Sequence, residues 1–122
     1  MYLDLNAEQA RSLLLGPLWR DAIDLWRDID AIRTLPAARR LLDAGADPED
    51  VSRALRAAAL DAVFAVLSRV DAGRETHAPD APGWLLVGTG PGGEPTDTWV
   101  RGLHEELLTL DPSGLSGAEL RR

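Results

Sequence analysis

Residues 47–72 read DPEDVSRALRAAALDAVFAVLSRVDA, and the fold turns on how this run is built. Asp47 can cap a helix, Pro48 suits its first position, and Glu49 and Asp50 place negative charge where the helix dipole favours it. The pattern predicts a helix from Pro48 to about Ala72, with Gly73 after it. From Ala57 to Leu67 it is apolar on every side except at Asp61. A helix apolar all round is a buried helix, so this one is expected at the centre.

Asp61 is the anomaly of that helix. Its neighbours four residues away are Ala57 and Ala65, and three away Ala58 and Phe64, so it has no partner on its own helix. An unpaired buried carboxylate is costly. Asp61 is therefore expected to be a largely buried polar anchor, bonded to a donor distant in sequence, most simply an Arg.

Upstream, Leu18-Trp19-Arg20-Asp21 repeats after seven residues as Leu25-Trp26-Arg27-Asp28. Seven residues are two helical turns, so each pair of equivalent residues is expected on one stripe of a helix. The expected elements are a weak edge strand at 1–5, a helix from Ala7 to Leu15 capped by Asn6 and ended by Gly16-Pro17, and a second helix from Pro17 to about Leu35. A short helix follows from Pro36 to Ala44, with Gly45 as its stop. The repeat then gives a ridge of Trp19 and Trp26 and an acidic stripe of Asp21, Asp24 and Asp28. These five residues are the candidate partner-binding set. The ridge reads as core or as the seam of a homodimer, because Trp is costly to leave in water and a frequent interface anchor.

Downstream, 73–83 is irregular. Trp84–Val87 reads as a strand, the Gly/Pro-rich run 88–95 as a turn, and Thr98–Arg101 as the returning strand. Extending the last helix back to Asp97 is the rival reading, and Gly102 argues against it. Leu103–Leu110 is expected to be helical, and Asp111-Pro112-Ser113-Gly114 to end it. The expectation is one α+β domain over 1–110, mostly α-helical. Four to five helices surround the central helix 48–72, a small antiparallel hairpin lies near 84–101, and 111–122 forms a C-terminal tail.

Composition narrows the function. With 122 residues the chain suffices for one domain that holds its own core. It has no Cys, which removes disulfides and thiolate chemistry, and all its basic residues are Arg, which removes Lys chemistry. The formal net charge is −7, with no basic cluster beyond Arg39-Arg40 and Arg121-Arg122. Nucleic acid and anionic membrane surfaces are therefore not expected partners, whereas a basic protein is. No run is apolar enough to cross a membrane and the start is not basic, so a cytoplasmic location is expected. Richness in Ala, Arg, Leu, Asp and Gly suggests a GC-rich bacterial genome.

Two motif-like runs fail on their mechanism. Gly88-Thr89-Gly90-Pro91-Gly92-Gly93 matches a dinucleotide-loop spelling, but Glu94-Pro95 follows where a helix should open. His104-Glu105-Glu106-Leu107-Leu108 begins like a zinc-protease helix, but the position of the second His is Leu108. His104 and Glu105 remain a candidate polar site, which His77 could join. No metal and no cofactor is expected.

In size, charge and composition the chain is similar to small bacterial immunity and antitoxin proteins, a resemblance carried by no motif. It implies a protein-binding module that inhibits or regulates a basic partner. The alternative is a homodimeric structural or small-ligand-binding domain with a Trp-lined seam. An enzyme using Asp61, His104 or Glu105 ranks third.

Overall fold

The structure is a computed structural model that describes residues 2–73, 80 and 82–122, with side chains from residue 7 onward. The fold is α+β: helices dominate, with one small two-stranded antiparallel sheet. Among the described residues the α-helices are α1 (Tyr2–Leu18), α2 (Ile29–Arg33), α3 (Pro36–Asp43), α4 (Pro48–Asp71) and α5 (Leu103–Thr109). The strands are β1 (Val87–Thr89) and β2 (Pro95–Trp99).

Helix α4 starts as its residues dictate. Asp47 lies in extended backbone and its carboxylate accepts the Glu49 amide at 2.9 Å, with Pro48 in the first turn. Ser52, Arg56, Leu60 and Leu67 form its buried side, and Val51 is covered separately, near the helix start, in the cluster with Ile32 and Ala38. The opposite side is bare: Ala54, Ala58, Asp61, Ala62, Ala65 and Val66 are all exposed. The all-round burial expected of this helix is thus corrected to one face. Alanines expose little apolar area, so four of them can face solvent at small cost.

The first third departs most from expectation. Residues 2–5 are helical and not an edge strand, and α1 runs on through Gly16-Pro17 instead of stopping there. Pro17 has no N–H for the Leu13 carbonyl and its ring crowds that carbonyl. The chain responds after it with a wide π turn over Trp19–Ile23 and then a tight 3-10 turn over Asp24–Arg27. Asp28 leaves helical geometry and caps α2 by accepting the Asp30 amide at 2.9 Å. So 17–35 is not one helix.

Pro36 opens α3, after Leu35 adopts the extended backbone that a following proline favours. Gly45, at φ +97°, ends the turn that leads to Asp47.

The hairpin closes nearer its turn than expected, the first strand starting later and the second earlier: Val87 pairs with Trp99 and Thr89 with Pro95, and Trp84 and Leu85 precede the strand. The Trp84 indole instead donates to the Val70 carbonyl at 3.1 Å, and its ring lies where a side chain at Gly73 would be. Gly102, at φ +73°, separates β2 from α5, which excludes the single long helix.

The main core gathers Leu15, Trp19, Ile23, Leu60, Leu67, Val100, Leu103, Leu107 and Leu120. A second cluster holds Ile32, Ala38 and Val51, with Trp26 against it. Leu120 in the core corrects the reading of 111–122 as a tail. Asp111 is buried, and its carboxylate accepts the Ser113 amide at 2.8 Å and the Gly117 amide at 2.7 Å. That knot turns the chain back over α4 and ends it in a 3-10 turn, Ala118–Arg121.

Arg56 is the most deeply buried charge among the described residues, 1 % exposed. It donates to Ser52 Oγ at 3.2 Å, Glu49 Oε1 at 3.3 Å and Glu119 Oε1 at 3.4 Å. Ser52 in turn donates to the Trp26 carbonyl at 2.6 Å. One buried guanidinium thus joins the first third, the central helix and the C-terminal turn.

Candidate functional site

Between α3 and α4 lies an open apolar groove of about 610 Å³. Its α3 wall carries Pro36, Ala37 and Leu41, and its α4 wall Asp50, Val51 and Ala54. The αα-turn at 44–47 sets the two walls side by side. Their inner faces meet at Ala38 and Val51, and small residues on both sides leave the trough unfilled. Leu41 is 55 % exposed, although a leucine side chain gains about 1.5–3 kcal/mol from burial. Asp50 is the charged residue of the lining and has no ion-pair partner among the described residues; Arg39 and Arg40, exposed on α3, have none among them either. The groove continues along α4 as the exposed face of Ala58, Ala62, Ala65 and Val66, the last 62 % exposed.

The five residues of the expected binding set do not assemble into a surface. Trp19 is 4 % exposed and its indole donates to the Leu107 carbonyl at 2.8 Å, so it is core and closed to a partner. Trp26 is half-buried against the second cluster. The Trp-lined seam is corrected accordingly. The three aspartates lie on three different backbone geometries, and each is engaged. Asp21 takes two bonds from Arg20, at 2.8 and 3.0 Å, which hold its carboxyl below the usual value. Asp24 accepts from Arg27 at 3.2 Å, and Asp28 caps α2. The seven-residue spacing needed an unbroken helix, and the turns after Pro17 removed it.

Asp61 is corrected as well. It does meet an Arg distant in sequence, Arg121, but both side chains are more than half exposed. The helix turns this position outward with its alanines, so the carboxylate stays hydrated and needs no buried anchor.

His104 and Glu105 belong to a smaller pocket of about 320 Å³ where α4 ends and α5 begins. Asp71 Oδ2 accepts both the His104 amide, at 3.1 Å, and the His104 Nδ1–H, at 2.5 Å. A carboxylate only accepts, so this bond places the ring proton on Nδ1 and leaves Nε2 toward the pocket, 3.6 Å from Glu105 Oε1. The pair could orient an imidazole as a base. Ser68, which also lines this pocket, spends its hydroxyl on the Phe64 carbonyl at 2.9 Å. The arrangement reads first as a tie between α4 and α5. His77 lies outside the described residues, and among those residues no three His, Asp or Glu side chains converge as a metal site.

The sequence reasoning missed Leu41, Asp71 and Arg56. For Arg56 a signal existed, since Ser52, Arg56, Leu60, Val63 and Leu67 fall on one helical stripe with the core leucines. Among the described residues no helix is long and apolar enough to cross a membrane. No family model, curated protein or solved structure matches this chain.

Proposed function

We propose that this chain is a small acidic protein-binding module, of the immunity or antitoxin kind, that inhibits or regulates a basic partner protein through the α3–α4 groove. The observation that carries the reading is the groove itself: an apolar trough of about 610 Å³ with an exposed Leu41 on its rim and an unpaired Asp50 in its wall. A helix with leucine-like anchors every three or four residues fits such a trough, and a basic residue beside the anchors would meet Asp50. The net charge of −7 speeds encounter with a basic protein and biases its approach.

The test is photocrosslinking from a reactive amino acid at position 41 in the native cell, followed by binding measurements with the purified crosslinked protein. Leu41→Glu should weaken that binding at least tenfold while leaving the circular dichroism unchanged. Equal affinity of Leu41→Glu and the parent chain would overturn the groove as the contact surface.

A second reading, a homodimeric domain, is favoured by the order of charges along α4.

A further inference from the structure

The exposed face of α4 is symmetric about its own midpoint. It begins with Asp50 and ends with Arg69, and between them it presents Ala54, Ala58, Ala62, Ala65 and Val66. Reversed and set against itself about residue 60, the face puts Asp50 beside Arg69, Ala54 beside Ala65 and Val66, and Ala58 beside Ala62. Two-fold contacts require this kind of self-complementarity.

We propose that a second copy of this chain docks here, α4 antiparallel to α4, with Val66 of each copy seated in the α3–α4 groove of the other. The inference names a partner for the surface already read as protein-binding, and rests on that reading.

Three observations carry it. The first is the fit of knob to hole. Val66 is the one large apolar side chain of this face, 62 % exposed, and the groove beside Ala54 and Leu41 lacks a side chain to fill it. Alanines at the crossing let two helix backbones approach closely. The second is charge. Among the described residues Asp50 has no ion-pair partner and Arg69 has none: its guanidinium carbon lies over the Trp84 ring, 5.2 Å from the ring centre, and a cation held over a ring can still meet a carboxylate. An antiparallel pair makes two such bridges, whereas a parallel pair sets Asp50 against Asp50. The third is that the charge near the crossing is already neutralised. Asp61 lies on the same face, one residue from the midpoint, and each copy brings it paired with its own Arg121, both side chains more than half exposed.

From Asp50 to Arg69 the face is about 29 Å long. One helix face with a single flanking wall is a small contact, and small contacts between proteins are weak and transient. A weak dimer follows, in exchange with monomer. A foreign helix would then enter the groove only by displacing the second copy, so self-pairing sets a threshold concentration for the partner.

Sedimentation equilibrium of the full chain, from about 1 µM to about 1 mM, tests this. The parent chain should pass from monomer to dimer across that range. Asp50→Arg should shift the midpoint at least tenfold toward higher concentration, because Arg then faces Arg69 of the other copy. The double variant Asp50→Arg/Arg69→Asp should recover most of the lost affinity. Both positions are exposed, and unchanged circular dichroism confirms each fold. A monomer throughout, or a dimer indifferent to Asp50→Arg, overturns the proposal. A monomer that still loses its crosslinked partner on Leu41→Glu would leave the protein-binding reading standing.

Discussion

Arg56 shows how a single residue can join distant parts of a chain. Its guanidinium is shielded from water and satisfied by Ser52, Glu49 and Glu119. A buried ion pair need not stabilise relative to an apolar replacement, but breaking one leaves a charge stranded. Glu119→Ala removes one of the two carboxylates that neutralise the buried arginine, leaving Glu49 and Ser52, and should cost about 1–3 kcal/mol. Arg56→Ala removes both packing and bonds and should cost about 3–5 kcal/mol. Arg56→Met keeps the bulk, and its glutamate partners reach solvent, so it should cost under about 2 kcal/mol. Urea midpoints of the three variants give that order. A loss for Arg56→Met equal to that for Arg56→Ala would show that the ion pairs, and not the filled volume, carry the site.

Trp19 is the other residue that the seven-residue repeat disguised. Its indole N–H reaches the Leu107 carbonyl across the core. Trp19→Phe keeps a ring but removes that bond and leaves the carbonyl only the longer Leu110 amide contact at 3.3 Å, and should cost about 1–3 kcal/mol, read from the denaturation midpoint. The repeat showed two tryptophans in equivalent positions. It could not show that their environments differ, because the difference arises from turns between them that no longer follow the helical period.

At the scale of elements, legibility followed locality. The start of α4, the Pro36 start of α3, the Gly45 stop and the strand-to-helix break at Gly102 depend on a few adjacent residues, and all could be read from the chain. Pro17 could not be placed so easily. A proline ends most helices, yet here the chain keeps turning and widens its pitch, a choice made by the burial of Leu15, Trp19 and Ile23 together. The C-terminal turn was hidden for a related reason: its polar sequence hardly hints that Asp111 ties its own loop. Asp111→Ala removes the acceptor for two amides and should cost about 2–4 kcal/mol. Gly117 has φ +81°, and an added Cβ would stand 2.9 Å from Leu60. Gly117→Ala should therefore lower stability by about 1–2 kcal/mol, measured by thermal or urea unfolding. A neutral Gly117→Ala would mean that the loop shifts freely over α4.

For the whole molecule, residues 111–122 close the core and do not trail from it. Ending the chain at Leu110 removes Leu120 from the main cluster and Glu119 from Arg56. The shortened chain should lose at least about 3 kcal/mol, a large share of the stability of a small domain. Removal of a true tail would leave the unfolding curve in place.

The candidate site was the least legible part. A groove depends on what two helices fail to bury, and a helical wheel of α4 alone cannot say which face its neighbours will cover. Apolarity marked Ala57–Leu67 as interior, and the structure left the alanine side outside. The same exposure ties together the groove, the unpaired Asp50 and Arg69, and the proposed self-pairing.

The absence of cysteine allows a direct measurement of that geometry. Two single variants, Ala58→Cys and Ala62→Cys, are mixed and oxidised at a concentration where the parent chain is dimeric. A disulfide needs Cα atoms about 4.4–6.8 Å apart, so it reports register. Antiparallel pairing of α4 about residue 60 predicts that the mixed product, one chain of each variant, dominates over both self-linked products. Crosslinking at the statistical ratio, or none, would contradict the assignment of the α4 face as the surface through which this protein meets another.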